Sequence, residues 1–516
     1  MNIFPRPKHR LNGPPGMRPH APAPVQTAVE EVPQAVASGT LAALIGIFLT
    51  GLGLQGTLPS DVGRFAAIGV AISLGFTVGA DLHRGGFRNL VRADVMAILA
   101  FYFLTFFEFL FPQPDFDGLI ARVSAYKASI VVLVGFAGLL IGRHCFRPKR
   151  QPFGDALTRE VPAAWLLFIF WFCFGLGYLH MLIAVDFNIA KVIHFMMEPR
   201  FSQPWARGRL GDWKALLVEL GLLLYLLPPL AGIILARRHR YPKAQLVLIM
   251  AALAFTFFFA FSSGTRNVFA SYLVTFLIGY AFAVPPGRKK ELILLSAGCA
   301  LFMIIATVFM LRFRTVGLNN YLAGALRGVE QAEKSLFIDY NLYAIGKLTE
   351  VFPNLLPYLG WEIPIQALIR PIPRAVWPGK PEGLSASIED ALGVEGLTIA
   401  ASFAGEAYMS GGEVVVFVIG LAFGAMTGWW SFLYSPRNSE LGLLIYASGF
   451  FAAVISMRSM LVFTTALLPT IAALVICTYA ARVLARQAHR LLQRLLIPQQ
   501  PAGRGRPVPA IRKPQL

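Results

Sequence analysis

Charge is scarce in this chain: 14% of its 516 residues are Asp, Glu, Lys or Arg, where a soluble domain carries roughly 25%. That shortage excludes an ordinary water-soluble fold. Acidic residues are rarer than basic ones, 27 against 46, which leaves a formal charge of +19. The four cysteines, Cys145, Cys173, Cys299 and Cys477, are far apart and each lies in or beside an apolar run, with no CxxC pair and no cluster with His. Neither a zinc site nor a disulfide framework is expected, and the thiols read as small packing groups. There is no GxxxxGK[ST] loop for a nucleotide and no paired-aspartate motif of metal-assisted sugar transfer, so no metal and no cofactor is expected. The two halves show no repeat of the kind many transporters carry.

What is present is apolar: 56% of residues are hydrophobic and the mean hydropathy is +0.61. Apolar runs of about twenty residues, each long enough for a hydrocarbon core of roughly 30 Å, recur along the chain. The runs cover residues 37–56, 63–80, 93–112, 125–143, 161–186, 214–236, 243–261, 267–286, 290–311, 413–434, 440–457 and 459–482. They predict an all-α fold, a polytopic transmembrane helical bundle of about twelve spans. Residues 36–311 and 413–483 form the bundle, and residues 312–412 form one large hydrophilic loop with short helices. Residues 1–35, rich in Pro and carrying Arg6, Lys8, Arg10 and Arg18, read as a disordered tail. The first apolar run starts only near Val36 and shows no cleavage site, so it is taken as a span.

Basic residues give the bundle an orientation, because short cytoplasmic loops collect Lys and Arg. With twelve spans, Arg84, Arg88 and Arg92 fall on the side of the N-terminal tail. So do Arg147, Lys149 and Arg150, then Arg237, Arg238 and Arg240, then Arg288, Lys289 and Lys290, and finally Arg437. Both termini are therefore expected in the cytoplasm, and residues 484–516 form a second basic tail. The C-terminal run Arg482, Arg486, Arg490 and Arg494 recurs every four residues, as on a surface-lying helix. This placement of charge fits orientation and anionic lipid headgroups, and no nucleic-acid partner is expected.

Two segments expected to face outward, residues 187–213 and 312–412, exceed minimal loops, and irregular backbone beyond the lipid is where a bundle can assemble a polar site. The first clusters Arg200, Arg207 and Arg209 among Pro and Gly. Arginine grips two phosphate oxygens at once, so the cluster suits either an anionic substrate or lipid phosphates at the interface. The turn SSGTR, ending in Arg266, stands before a helix, where it either favours an anion or simply caps. Arg312 and Arg314 mark the exit of the ninth run, about 200 degrees apart on a helix, so one faces the bundle and the other snorkels. Arg458 lies between the last two runs.

The large loop holds RPIPRAVWPGKP, residues 370–381, whose prolines forbid a regular helix and stiffen the backbone that carries Arg370, Arg374, Trp377 and Lys380. Downstream, TIAASFAGEAYMSGG brings Glu406 and Tyr408 to the start of the next span. Inside or near the spans, Glu108, Asp186, Glu219 and His180 are further polar candidates.

The small-residue turn with Arg266, the IPRAVWPGKP stretch and the GEAYMSGG approach together resemble the oligosaccharide repeat unit polymerases, also called O-antigen polymerases. An Arg, ten residues, Gly pattern from Arg200 to Gly211 is similar to one in outward loops of such enzymes, without a second copy in the large loop. The resemblance implies transfer of a growing glycan from undecaprenyl pyrophosphate onto the next lipid-linked repeat unit, at the periplasmic face of a bacterial inner membrane. It also implies a flippase and a chain-length regulator as partners, beside membrane lipids. The arginines would then stabilise charge on the departing pyrophosphate. Glu406 or, second, Asp339 would accept the proton of the acceptor hydroxyl, unless either merely pairs with an arginine. A ligase using the same donor and an exporter of a lipid-linked glycan remain alternatives.

Overall fold

In the computed structural model the described residues are 34–146, 148, 153, 155–199, 202–206, 214–285, 287–313, 316–324, 341–372, 376–377, 379–381, 384, 388, 400–435 and 438–496. Their regular structure is entirely helical. Ten helical segments among them are long and apolar enough to cross a bilayer.

The chain rises through α1 (Ala37–Leu52), returns through α2 (Pro59–Leu90), and continues with α3 (Ala93–Thr105), α4 (Arg122–Gly142) and α5 (Ala163–Ala184). The short α6 (Ile189–Met196) precedes α7 (Lys214–Leu220) and α8 (Leu227–Ala236), then α9 (Lys243–Ser262), α10 (Arg266–Ala283) and α11 (Lys289–Phe313). Loop helices α12 (Leu318–Leu322), α13 (Asn341–Val351) and α14 (Glu362–Ile369) lead to α15 (Ser402–Ser431), α16 (Glu440–Arg458) and α17 (Phe463–Leu496). The end where α1 begins is called the tail end, and the opposite one the loop end.

Each of the twelve predicted runs is helical, but several limits differ for physical reasons. The runs at 37–56 and 93–112 end in non-α residues, so α1 and α3 are among the shorter apolar helices. The run at 63–80 extends from Pro59 past Asp81, whose side chain is paired inside the bundle, to a kink at Gly86, where φ is +63. At 214–236 the helix tightens to 3-10 geometry over Gly221–Leu226. Pro228 and Pro229 have no N–H for the carbonyls four residues earlier, which explains the change. The basic C-terminal residues do not start a surface-lying helix: the backbone of α17 runs unbroken from Phe463 to Leu496.

The central contact is α4 against α15, where Gly420, Gly424 and Gly428 recur every fourth residue along one face. A Cβ on Gly424 would stand 2.3 Å from the Leu139 carbonyl oxygen, and one on Gly428 would stand 2.6 Å from that of Arg143. Only glycine lets the backbones approach this closely.

At the tail end this contact closes over a buried ionic cluster. Arg143 donates from Nε to Asp94 at 2.7 Å, from Nη1 to Thr77 at 2.8 Å and from Nη2 to Asp81. Arg92 donates from Nε to Asp94 at 2.9 Å and from Nη1 to Asn89 at 3.1 Å, while Ser431 donates to Asp94 at 2.9 Å. Asp81 also accepts from the Val36 amide at 2.8 Å, fastening the start of the bundle. Arg92 thus sits inside the protein, 1% exposed, rather than in a solvated loop. Nearby, Glu440 at the start of α16 accepts from both Arg237 and Arg240.

The large loop is not a hydrophilic insertion where it is described. Helix α13 packs against α4 and α15, burying Leu342, Ile345 and Leu348. Asn341 donates to the Leu104 carbonyl at 2.8 Å, and Ser124 of α4 donates to Glu350. Burial opposes ionisation of Glu350, but hydrogen bonds from Ser124 and Lys347 outweigh it and hold the carboxyl below its ordinary range.

Candidate functional site

The loop end gathers polar groups from four separate parts of the chain around Glu406. This residue lies in the first turns of α15 and is 3% exposed. Its Oε1 accepts from the Ser459 hydroxyl at 2.5 Å. Its Oε2 accepts from the backbone amides of Met460 at 2.6 Å and Leu461 at 3.1 Å. These are the amides that open the 3-10 turn Met460–Val462 ahead of α17, and they need an acceptor once the backbone turns extended at Ser459. The separation of the last two spans at Arg458 therefore has a cause: a carboxylate from α15 caps the second.

That cap fixes Arg458. With the Asn267 amide oxygen facing the guanidinium, Asn267 accepts from Nε at 3.1 Å and from Nη1 at 2.6 Å. Asn267 follows Arg266, the first residue of α10, so Arg458 is tied to the start of that helix. Arg370, from a different part of the chain, comes close enough for its positive charge to bear weakly on the carboxylate. Arg370 follows α14, which is held to α17 by a hydrogen bond from the Thr464 hydroxyl to the Ala367 carbonyl.

The glycines of GEAYMSGG explain how Glu406 is held there. Helix α15 breaks at Gly411 and Gly412, and Gly412 has φ +71, the left-handed region that favours glycine. The break leaves the Met409 and Ser410 carbonyls without helical donors. They accept instead from the loop amides of Leu359 at 2.9 Å and Gly360 at 3.0 Å. Gly412→Ala would put a Cβ 3.0 Å from the Tyr358 hydroxyl at this left-handed φ, at a cost of about 1–3 kcal/mol. Its midpoint in detergent-denaturant unfolding should fall accordingly. Gly298→Ala, in α11 with open space around the site, should leave the midpoint within the spread of wild-type preparations.

Other predicted residues have local partners. Lys380 donates to the carbonyls of Arg370 at 3.0 Å and Ile372 at 2.9 Å, which ties it to the end of α14. Tyr408 donates to the Phe352 carbonyl at 3.4 Å and meets Tyr358 edge-on. Trp377 is exposed. Arg312 lies at the rim over the Phe309 ring, 5.9 Å from its centroid, as a snorkelling arginine would. In the SSGTR turn, Ser262, Ser263 and Thr265 each donate to a carbonyl two or three residues back, so these hydroxyls serve the turn itself. Arg200, Arg207, Arg209, Arg314, Arg374 and Asp339 lie outside the described residues. Elements flanking some of them do meet: Asn319 of α12 donates to the His194 carbonyl and to Glu198, each at 3.1 Å, lacing the first outward segment to the start of the large loop.

Of the polar span residues, Glu108 and His180 are buried, and His180 Nδ1 has no partner among the described residues, while Asp186 is exposed.

Comparison with protein-family models, curated proteins and solved structures finds no match. Function has to be argued from the site. Sequence reasoning missed Ser459 and Asn267, although each directly follows an arginine it had singled out.

Proposed function

We propose that the chain is a membrane-embedded glycosyltransferase that polymerises oligosaccharide repeat units carried on undecaprenyl pyrophosphate, working at the periplasmic face of a bacterial inner membrane. About twelve spans and both termini in the cytoplasm complete the reading. Supporting it above all is the grouping of Glu406, which caps the turn directly after Arg458, with Arg370, whose positive charge reaches that carboxylate, at the end of the bundle that the basic loops assign to the outside.

In the reaction, an acceptor hydroxyl of one lipid-linked unit attacks the anomeric carbon of another. The carbon–oxygen bond to pyrophosphate breaks, and the pyrophosphate leaves with the electron pair. Arg370 and Arg458 stabilise that charge from fixed positions. Glu406 acts as a positioning residue, because its carboxylate oxygens already accept three hydrogen bonds. The acceptor's proton then falls to another carboxylate, for which Asp339 remains the candidate from the sequence.

An exporter would use broken helices to present bare carbonyls to its cargo. Helix α15 is broken, yet the freed carbonyls are occupied by Leu359 and Gly360, which weighs against that use. A ligase differs from a polymerase only in the acceptor. Purified protein in vesicles, supplied solely with lipid-linked repeat units, should build a glycan ladder without nucleotide sugar. Product only after a different acceptor is added would favour ligation, and no product from a preparation competent to bind the donor would sink the enzyme reading.

A further inference from the structure

The exposed surface of the segment between α13 and the site is almost wholly apolar. Leu355 is 76% exposed, Trp361 78%, Ile365 50% and Leu368 66%, and Val376 and Trp377 are exposed as well. Of the charged and amide side chains described between residues 352 and 377, Asn354 alone is exposed. A loop bathed in water would be expected to alternate apolar and polar surface, and patches beyond a few hundred Å² mark contact with something.

Helix α14 is sorted into three faces. Ile363 and Ala367 are buried against the bundle. Glu362, Gln366 and Arg370 recur every four residues on one stripe and none is exposed, and the last of them acts on Glu406. Trp361, Ile365 and Leu368 form the outward stripe. The helix packs on α15, on α17 and on the turn between α16 and α17, so it sits at the loop end of membrane-spanning helices. On α15, which α14 contacts, Val414 and Val418 are also exposed, 75% and 54%. Helix α14 is thus polar toward the site and apolar on its outward stripe.

We infer that residues 355–372 form an interfacial plate whose apolar face is sunk into the outer lipid leaflet. The occupant of that face is leaflet hydrocarbon. Amphipathic helices lie this way with their apolar side about 5–10 Å into the boundary between headgroups and acyl chains. Trp361 suits that boundary, where indole rings collect. The plate sets Arg370 at the depth of lipid phosphates, where a lipid-borne pyrophosphate would also lie. This inference rests on the chain being a membrane protein and does not require the glycan-transfer reading.

The test uses the full chain in phosphatidylcholine and phosphatidylglycerol vesicles. Cys145, the one exposed cysteine, is changed to Ser, and Ile365→Cys or Leu368→Cys is labelled with an environment-sensitive fluorophore. Val418→Cys provides the reference on a membrane-spanning helix. Both loop labels should be quenched by nitroxide lipids carrying the spin label near the headgroup, to an extent comparable with the reference, and should resist iodide in the buffer. Strong iodide quenching would place the plate in water and overturn the inference. Protection from both quenchers would overturn it too, by showing that protein covers the face. Because both substitutions are at exposed side chains, and Val418→Cys reports correct insertion, a misfolded preparation is recognised separately.

Discussion

Arg143→Ala should lower stability by about 3–5 kcal/mol, the range for removing one partner from a buried ion pair. Arg143 and both of its carboxylate partners are essentially unexposed, with side-chain exposures of 0% for Arg143 and Asp81 and 1% for Asp94. Without the guanidinium, two buried carboxylates face Arg92 alone, which reaches Asp94 closely but Asp81 only at 3.8 Å. The Thr77 hydroxyl loses its donor as well. Because the cluster ties together α2, α3, α4 and α15, the loss should appear as a lower midpoint of the whole bundle. Adding Asp81→Asn to Arg143→Ala removes the uncompensated charge and should recover a clear part of the deficit, as expected for directly coupled residues. The surface pair Arg238 with Glu291, 46% and 41% exposed, is a fair contrast, since such pairs contribute only about 0–1 kcal/mol. If Arg143→Ala unfolds no more easily than Arg238→Ala, the cluster does not hold the tail end together.

The same residues show where a sequence is readable and where it is not. Hydropathy averaged over a window finds apolar helices, because each must fill hydrocarbon, and the helices observed follow those runs. The average says nothing about pairing. Arg92, Arg237 and Arg240 look like loop charges that orient a membrane protein, and they lie at the expected end, yet Arg92 is buried and the other two share the buried carboxylate of Glu440. Asp81, Asp94 and Glu440 were legible in principle, since an acid in an apolar stretch needs a partner. Its charged partner, however, lies up to 203 residues away, as with Arg237 and Glu440, and nothing local names it. The Gly420, Gly424, Gly428 spacing was a plain sign of close helix packing that hydropathy passes over. At the loop end, Arg370, Arg458 and Glu406 could be singled out by residue type, but their placement depends on a helix break at Gly412 and a cap across the α16–α17 turn. The apolar plate was missed because its alternating prolines and single charges disguise one consistent outward face.

Arg370→Ala and Arg458→Ala should each slow glycan elongation by about 10²–10³, the effect of removing one prepositioned donor from a developing oxyanion. The lipid-linked donor's binding should weaken far less, because the guanidinium is worth most when charge accumulates on the leaving pyrophosphate. Lysine at either position keeps the charge but not the planar pair of donors, and should restore only part of the rate. Glu406→Gln should behave differently. Its amide nitrogen would turn a donor toward Ser459 or toward the amides of Met460 and Leu461, so the turn carrying Arg458 loosens and stability falls together with activity. Single-turnover transfer, donor binding and unfolding midpoint measured on the same preparations separate these roles. An Arg370→Ala variant that folds normally and elongates within a few-fold of wild type would remove Arg370 from the chemistry and, with it, the main support for leaving-group stabilisation at this corner. If Glu406→Gln instead keeps its midpoint and loses only the rate, with the loss reversed at higher pH in Glu406→Asp, the carboxylate is the proton acceptor after all and its three hydrogen bonds must open during turnover.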